Sequence, residues 1–336
     1  MPVELALLTF PLPGLAAPMA RMIEAAGWDA LYFADTQNLA ADVWVSLGAA
    51  AEATERITLA TGVTNPVSRH PAVTASAIAA VQVASGGRAV LGIGRGDSSL
   101  GHLGRGPASV AELRRYVTRV RGYLHGEPVD LDGYTSTNEW IATTGQPPVP
   151  IDIAATGPKM TALAGELGDR ATFAVGADPG RLAASIALAR HARAAAGLDP
   201  ASLSVGAYVN AVAHPDPAMA RTIVRGSAAA FAHFSGMPGA PTTTLADRTT
   251  FERLGADYRL AGHATAGAAH AAALDDAFID RFAVVGTAAA CVARLRTLLD
   301  VGLDRLVIVP GSRDAPPAEM LGVLERLARE VIPALR

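Results

Sequence analysis

Apolar positions along this chain follow two alternating rhythms. Largely apolar runs at 3–10, 30–34, 57–63, 89–93, 150–154, 171–175, 203–212 and 305–309 have strand length, and most end near Gly, Pro, Asn or Asp. Runs of that kind suit strands buried on both faces, as in a parallel sheet. Between them, 15–26, 39–54, 71–84, 107–124, 179–196, 217–234 and 316–335 carry apolar residues at helical spacing, and two further helices end at Leu167 and Val301. Gly27 is placed to cap the first helix and Pro71 to open the third. Strand and helix therefore alternate, which predicts parallel strands joined by right-handed crossovers. Two stretches, 125–150 and 235–280, break the rhythm. They are expected as excursions over the ligand-binding mouth, the second with short helices near Thr250 and Ala268.

The segment 58–97 shows what such a unit delivers. Its first run is stopped by Asn65-Pro66 and its second by Gly94-Arg95-Gly96-Asp97, so both strands present polar, turn-forming tips on the same side. Ligands of parallel α/β folds gather on that side. Eight such strands predict a (β/α)8 TIM barrel, with residues 1–336 forming a single domain. A doubly wound sheet is the rival, but the first turn, Pro11-Leu12-Pro13-Gly14, lacks the G-x-G-x-x-G pattern.

Composition changes this picture only at its margins. Half the residues are hydrophobic, yet Gly and Pro interrupt every run before membrane-spanning length. Glu4 and Pro11 interrupt anything like a signal peptide, so a cytoplasmic protein without a membrane partner is expected. A net charge of −3 without a basic stripe argues against nucleic acid. No metal centre is expected. The only cysteine, Cys291, sits in a helical pattern without a His or Asp motif around it and is expected in the core.

In a barrel, the strand tips carry the chemistry. Asp35 and Asp97 end the second and fourth strands, where carboxylates serve ligand binding or proton handling; Asp97 could instead cap the next helix. Thr64 and Asn65 follow the third strand, with an Asx-type turn as the plainer use of Asn65. Thr156-Gly157-Pro158-Lys159 opens a helix. Thr can cap, Gly admits a close ligand, Pro suits the first turn, and the helix dipole attracts an anion. Lys159, the only lysine, adds a point charge there or is simply solvated. Gly286-Thr287 makes a similar start.

At TGVTNPVSRHP, GGRAVLGIGRGDS, ATGPKMTALAGELGD and RFAVVGTAAACVARLRTLLDVGLDRLVI the chain resembles the luciferase-like flavin and deazaflavin oxidoreductases, on the branch of F420-dependent methylenetetrahydromethanopterin reductase. The resemblance runs from Val3 to Val309 and implies a (β/α)8 barrel with insertions. It further implies a cis peptide between Gly62 and Val63, bulging behind the middle ring of a deazaflavin or flavin. Thr64 and Asn65 would bond the ring's polar edge, Asp35 and Asp97 with Gly96 would flank it, and the 156–159 helix start would hold a phosphate or tail. The implied activity is hydride transfer between coenzyme F420 and a small organic substrate. An FMN-dependent monooxygenase and a non-catalytic flavin-like ligand-binding barrel are the alternatives. Relatives often place His directly after the second-strand Asp; here Thr36 stands there, and His70, His102 and His263 are candidate substitutes. Exposed helices on such barrels often pair, so a homodimer is expected.

Overall fold

Parallel strands close into a barrel only if every edge finds a partner. In the computed structural model, which describes residues 3–235 and 245–336, eight strands do so. They are β1 (Glu4–Thr9), β2 (Ala30–Phe33), β3 (Thr58–Thr61), β4 (Ala89–Ile93), β5 (Ile151–Ala155), β6 (Arg170–Phe173), β7 (Ser204–Ala213) and β8 (Arg305–Val309). Each pairs in parallel with the next, and β8 returns to β1 with Leu7 opposite Ile308. The expected TIM barrel is what the chain forms.

Alternation along the strands sorts two interiors. Leu5 and Leu7, Leu31 and Phe33, and Leu91 and Ile93 pack outward against helices, while Ala6, Tyr32, Ala60, Val90, Tyr208 and Val307 fill the barrel itself. Towards the strand starts the filling turns ionic. Arg305 and Asp152, each 1% exposed, lie 3.3 Å apart. Asp152 also accepts the hydroxyls of Tyr32 at 3.1 Å and Thr172 at 2.7 Å. Hydrogen-bonded charges plug that end, so only the other end can open.

Helix boundaries follow local chemistry. α1 (Ala16–Ala25) ends against Gly27 at φ 87°, a left-handed position that glycine takes without a Cβ clash. α2 (Val43–Ala53) begins later than apolar spacing predicted because Asp42 caps it, its Oδ1 accepting the Trp44 and Val45 N–H groups. α3 (Pro71–Ala84) starts at its proline. α4 (Val110–Leu124) begins at a capping box between Ser109 and Glu112 rather than at Pro107. α5 (Pro158–Leu167) and α6 (Pro179–Ala195) follow β5 and β6.

Two expectations need correction. The 125–150 excursion does not lie over the mouth. It follows a helix, and helices return the chain to the strand-start end; there it packs on α4 and α3 through Tyr123 Oη with Ser136 at 2.9 Å and Gln82 Nε2 to the Pro147 carbonyl at 3.0 Å. The second correction concerns α7 (Pro217–Ser235), expected as the outer helix of the β7 repeat. It instead crosses the mouth, where Ser235 Oγ donates to the Ala174 carbonyl beside the end of β6 at 2.6 Å. The outer helix of that repeat is α10 (Ala288–Leu299), packed on β7 and α6. Everything between β7 and α10 is thus one insertion at the mouth. It includes α8 (Leu245–Asp257), which covers the helix expected near Thr250, a 3-10 turn at Ala269–Ala273 in place of a helix near Ala268, α9 (Asp276–Phe282), and a short strand, Val284–Gly286, paired with the end of β7. Residues 236–244 of the expected excursion lie outside the described residues. After β8, α11 (Pro317–Arg326) leads the closing helical segment. Among the described residues, no helix is long and apolar enough to cross a membrane.

Candidate active site

The barrel mouth holds a cavity of about 620 Å³, within the range of small-molecule sites. Its base is built by backbone at the ends of β3 and β4. The Gly62–Val63 peptide is cis, and both residues border the cavity. Pairing resumes at once: Thr64 N–H donates to the Gly92 carbonyl at 3.0 Å, and Gly94 N–H to the Thr64 carbonyl at 2.9 Å. Glycine on β4 permits this approach, since a Cβ on Gly92 would stand 1.9 Å from the Thr61 oxygen. Gly96, at φ 75°, borders the cavity, and a Cβ there would meet that of Asn65 at 2.6 Å.

Asp35 arrives from β2 and borders the cavity at 5% exposure. Its Oδ2 accepts Thr64 Oγ1 at 2.7 Å and Arg69 Nη1 at 3.0 Å, and Arg69 also reaches Asp42 at 2.8 Å. Burial raises the Asp35 pKa, with Thr64 and Arg69 acting in the opposite sense. Thr64 and Asn65 do not line the cavity: the Thr64 hydroxyl orders Asp35, and Asn65 Oδ1 accepts the N–H groups of Val67 and Ser68, both at 3.0 Å, in a local turn, while its Nδ2 is buried without a hydrogen-bond partner among the described residues.

Asp97 ends the β4 turn and heads the short helix Ser98–Gly101 without a side-chain capping bond, so its carboxylate is left for the cavity. His233 on α7 brings Nε2 to 3.8 Å from the Asp97 Oδ1. Burial raises the Asp97 pKa against the pull of His233 and Arg95, and burial lowers that of His233. A carboxylic acid so placed keeps its proton to higher pH than an exposed one.

Thr156 borders the cavity at the end of β5. Gly157, Pro158 and Lys159 form the adjoining helix start without lining the cavity, and Lys159 is exposed. Thr287 caps α10, its Oγ1 accepting the Ala290 N–H at 3.3 Å, away from the site. Cys291 is fully buried in the core as expected, its thiol pKa pushed up to about 11.

Most of the remaining wall is apolar, with Phe10, Leu12 and Leu39 facing Phe231 and Phe234 of α7. Tyr208 borders it from within the barrel, its hydroxyl buried and without a hydrogen-bond partner among the described residues. The insertion adds His263, backed by Tyr258. Arg69, His233, Tyr258 and the two phenylalanines were not anticipated. Arg69 stood within the NPVSRHP segment and offered a signal; the others lie on a helix expected outside the barrel or in an aperiodic stretch. A base shaped by glycine backbone, an unpartnered phenol and apolar walls fit a flat aromatic ring system with a polar edge.

Comparison with known proteins agrees. The profile of the luciferase-like monooxygenase family matches residues 14–305. A 5,10-methylenetetrahydromethanopterin reductase from Methanolobus tindarius is 32% identical over 94% of this chain and 95% of its own. Among solved structures, the coenzyme F420-dependent tetrahydromethanopterin reductase of Methanopyrus kandleri aligns over the whole of both chains with a TM-score of 0.76 at 21% identity. An F420-dependent secondary alcohol dehydrogenase, solved with an F420–acetone adduct, gives the same TM-score, identity and coverage.

Proposed function

The chain belongs to the luciferase-like monooxygenase family, and on that premise we propose that it is an oxidoreductase moving a hydride between coenzyme F420 and a small organic substrate. The observation that carries this reading is the cavity itself, with backbone of Gly62, Val63 and Gly96 on one side and the half-buried acid Asp97 beside it. When bound, the deazaflavin supplies a two-electron hydride carrier. The chain's own residues do the rest. Gly62 and Val63 support one face of a flat ring, and apolar side chains exclude water above it. Asp97 is placed to exchange a proton at its carboxyl, beside His233, its pKa raised by burial. Asp35 fixes Thr64 and Arg69, which secures the strand tip on which the ring would rest. Thr156 stands at the wall, and the Gly157-Pro158-Lys159 helix start offers an exposed ammonium to an anionic tail.

Anaerobic fluorescence titration with F420 and, separately, with FMN tests this. Micromolar affinity for F420 with weak affinity for FMN is expected. Preference for FMN would overturn it in favour of the monooxygenase reading. A homodimer and a cytoplasmic location accompany the proposal; sedimentation velocity checks the first and fractionation of the source cells the second.

A further inference from the structure

Thr36 follows Asp35, and of the three histidines that the sequence offered to the site two are elsewhere. His70 caps α3, its Nδ1 accepting the Ala72 N–H at 3.2 Å, and His102 is half-buried without bordering the cavity. His263 borders it, at 6% exposure.

The surroundings of His263 fix its ring and its proton. Tyr258 Oη lies 2.6 Å from Nδ1. That phenol is itself clasped between the His233 ring, stacked at 3.9 Å and 7°, and the His270 ring, tilted at 4.3 Å. Burial and the nearby charge of Asp97 keep the phenol protonated. Nδ1 is its only hydrogen-bond partner among the described residues, and an Nδ1–H donor would leave the phenol proton without an acceptor there, so the hydroxyl is assigned as donor and Nδ1 as acceptor. The one proton of the neutral imidazole then resides on Nε2, a tautomer assigned from the hydrogen-bond network. The backbone is pinned as well: Arg313 Nη1 donates to the His263 carbonyl at 3.1 Å, and Arg313 N–H to that of Ala264 at 2.9 Å.

Two guanidinium groups border the same cavity. Arg313 is held by the His263 carbonyl and by the Phe10 ring, and Arg95 Nε donates to the Ala108 carbonyl. We propose that His263 recognises the substrate, its Nε2–H donating to an alcohol or ketone oxygen on a molecule with an apolar body, and that Tyr258 is the positioning residue that holds the imidazole for this bond. The proposal rests on the oxidoreductase reading of the same cavity.

The test uses full-length protein with 15N-labelled histidine, cyclohexanone and cyclohexanol as probes, and the variants His263→Gln, His263→Ala and Tyr258→Phe. In cofactor-free and F420-loaded wild type, the Nε2–H resonance that disappears in His263→Gln should shift on titration with either probe. In Tyr258→Phe it should broaden towards a mixture of tautomers. Affinity for F420 should stay within about twofold in every variant. For cyclohexanone reduction with reduced F420, His263→Ala should lose about tenfold in kcat/KM, the worth of one neutral hydrogen bond, and the donor-retaining His263→Gln should recover most of it. A resonance that neither probe moves, or an Nδ1–H tautomer in the wild type, would overturn the assignment. Failure of F420 to bind sinks the cofactor reading instead, and the cofactor-free titration still decides the role of His263.

Discussion

Two insertions interrupt the barrel rhythm, and they end up at opposite poles. Residues 125–150 connect a helix to a strand; the segment between β7 and α10 connects a strand to a helix. Each borders a cavity, of about 240 Å³ for the first and about 620 Å³ for the second. The smaller is lined by helix flanks and excursion residues such as Gln82, His125 and Ile141, with no barrel-strand tip reaching it. The larger receives tips from β2, β3, β4 and β5 together with α7 and His263. Chemistry collects where strands end, because only there do eight converging backbones bring side chains from distant parts of the chain to one point. An insertion gains a functional role by the kind of connection it lengthens, not by its own composition.

The sharpest test of this contrast is Asp97→Asn. Losing the half-buried carboxyl that makes no hydrogen bond as a helix cap and borders the cavity should lower kcat by about 10²- to 10⁴-fold, in line with general acid–base contributions, while leaving F420 affinity nearly intact; stopped-flow kinetics and fluorescence titration separate the two. Gly96→Ala should come next. Its Cβ would clash with Asn65 in a left-handed backbone, so weakened F420 binding and a loss of about 1–3 kcal/mol by chemical denaturation are expected. Phe231→Ala, within the mouth insertion, should raise the KM for apolar substrates by about tenfold, as expected for an emptied hydrophobic contact.

Acid titration gives a smaller effect with a definite sign. Burial, helped by the charges of Arg313, His102, His233 and His270, pushes the His263 pKa from 6.5 down to about 4. The unfolded chain then binds the proton more readily, so this residue contributes stability above pH 6.5 that is lost as the pH falls towards about 4. Thermal melts across that window should show His263→Gln losing less Tm than wild type. Smallest of all, Asn138→Ala in the other excursion removes one bond to the Ala72 carbonyl and should leave kcat/KM within about twofold by steady-state assay. A large effect there would break the contrast between the two poles.

Much of the site was legible because strand tips are local features. Asp35, Gly62, Val63, Gly96, Asp97 and Thr156 all border the cavity, and each stood at the end of an apolar run in the sequence. Thr64 and Asn65 stood there too, but the Thr64 hydroxyl bonds Asp35 and Asn65 Oδ1 closes a local turn, long-range and local partners that the apolar run does not distinguish. His233 and Tyr258 carried no local signal, and His263 stood out only as one of three candidate histidines. Their meaning lies in rings stacked across an insertion.

The sequence by itself determined the alternation of strand and helix, the closed barrel that eight such units build, and the polar strand ends. All of these follow from hydrophobic period and turn chemistry within a few residues. Only the tertiary structure decided that α7 spans the mouth instead of flanking the barrel and that residues 125–150 fall at the far pole. It also decided that an imidazole on the insertion faces the cavity where Thr36 leaves no histidine. Those outcomes depend on contacts between residues far apart in the chain, whose free energies no local pattern encodes.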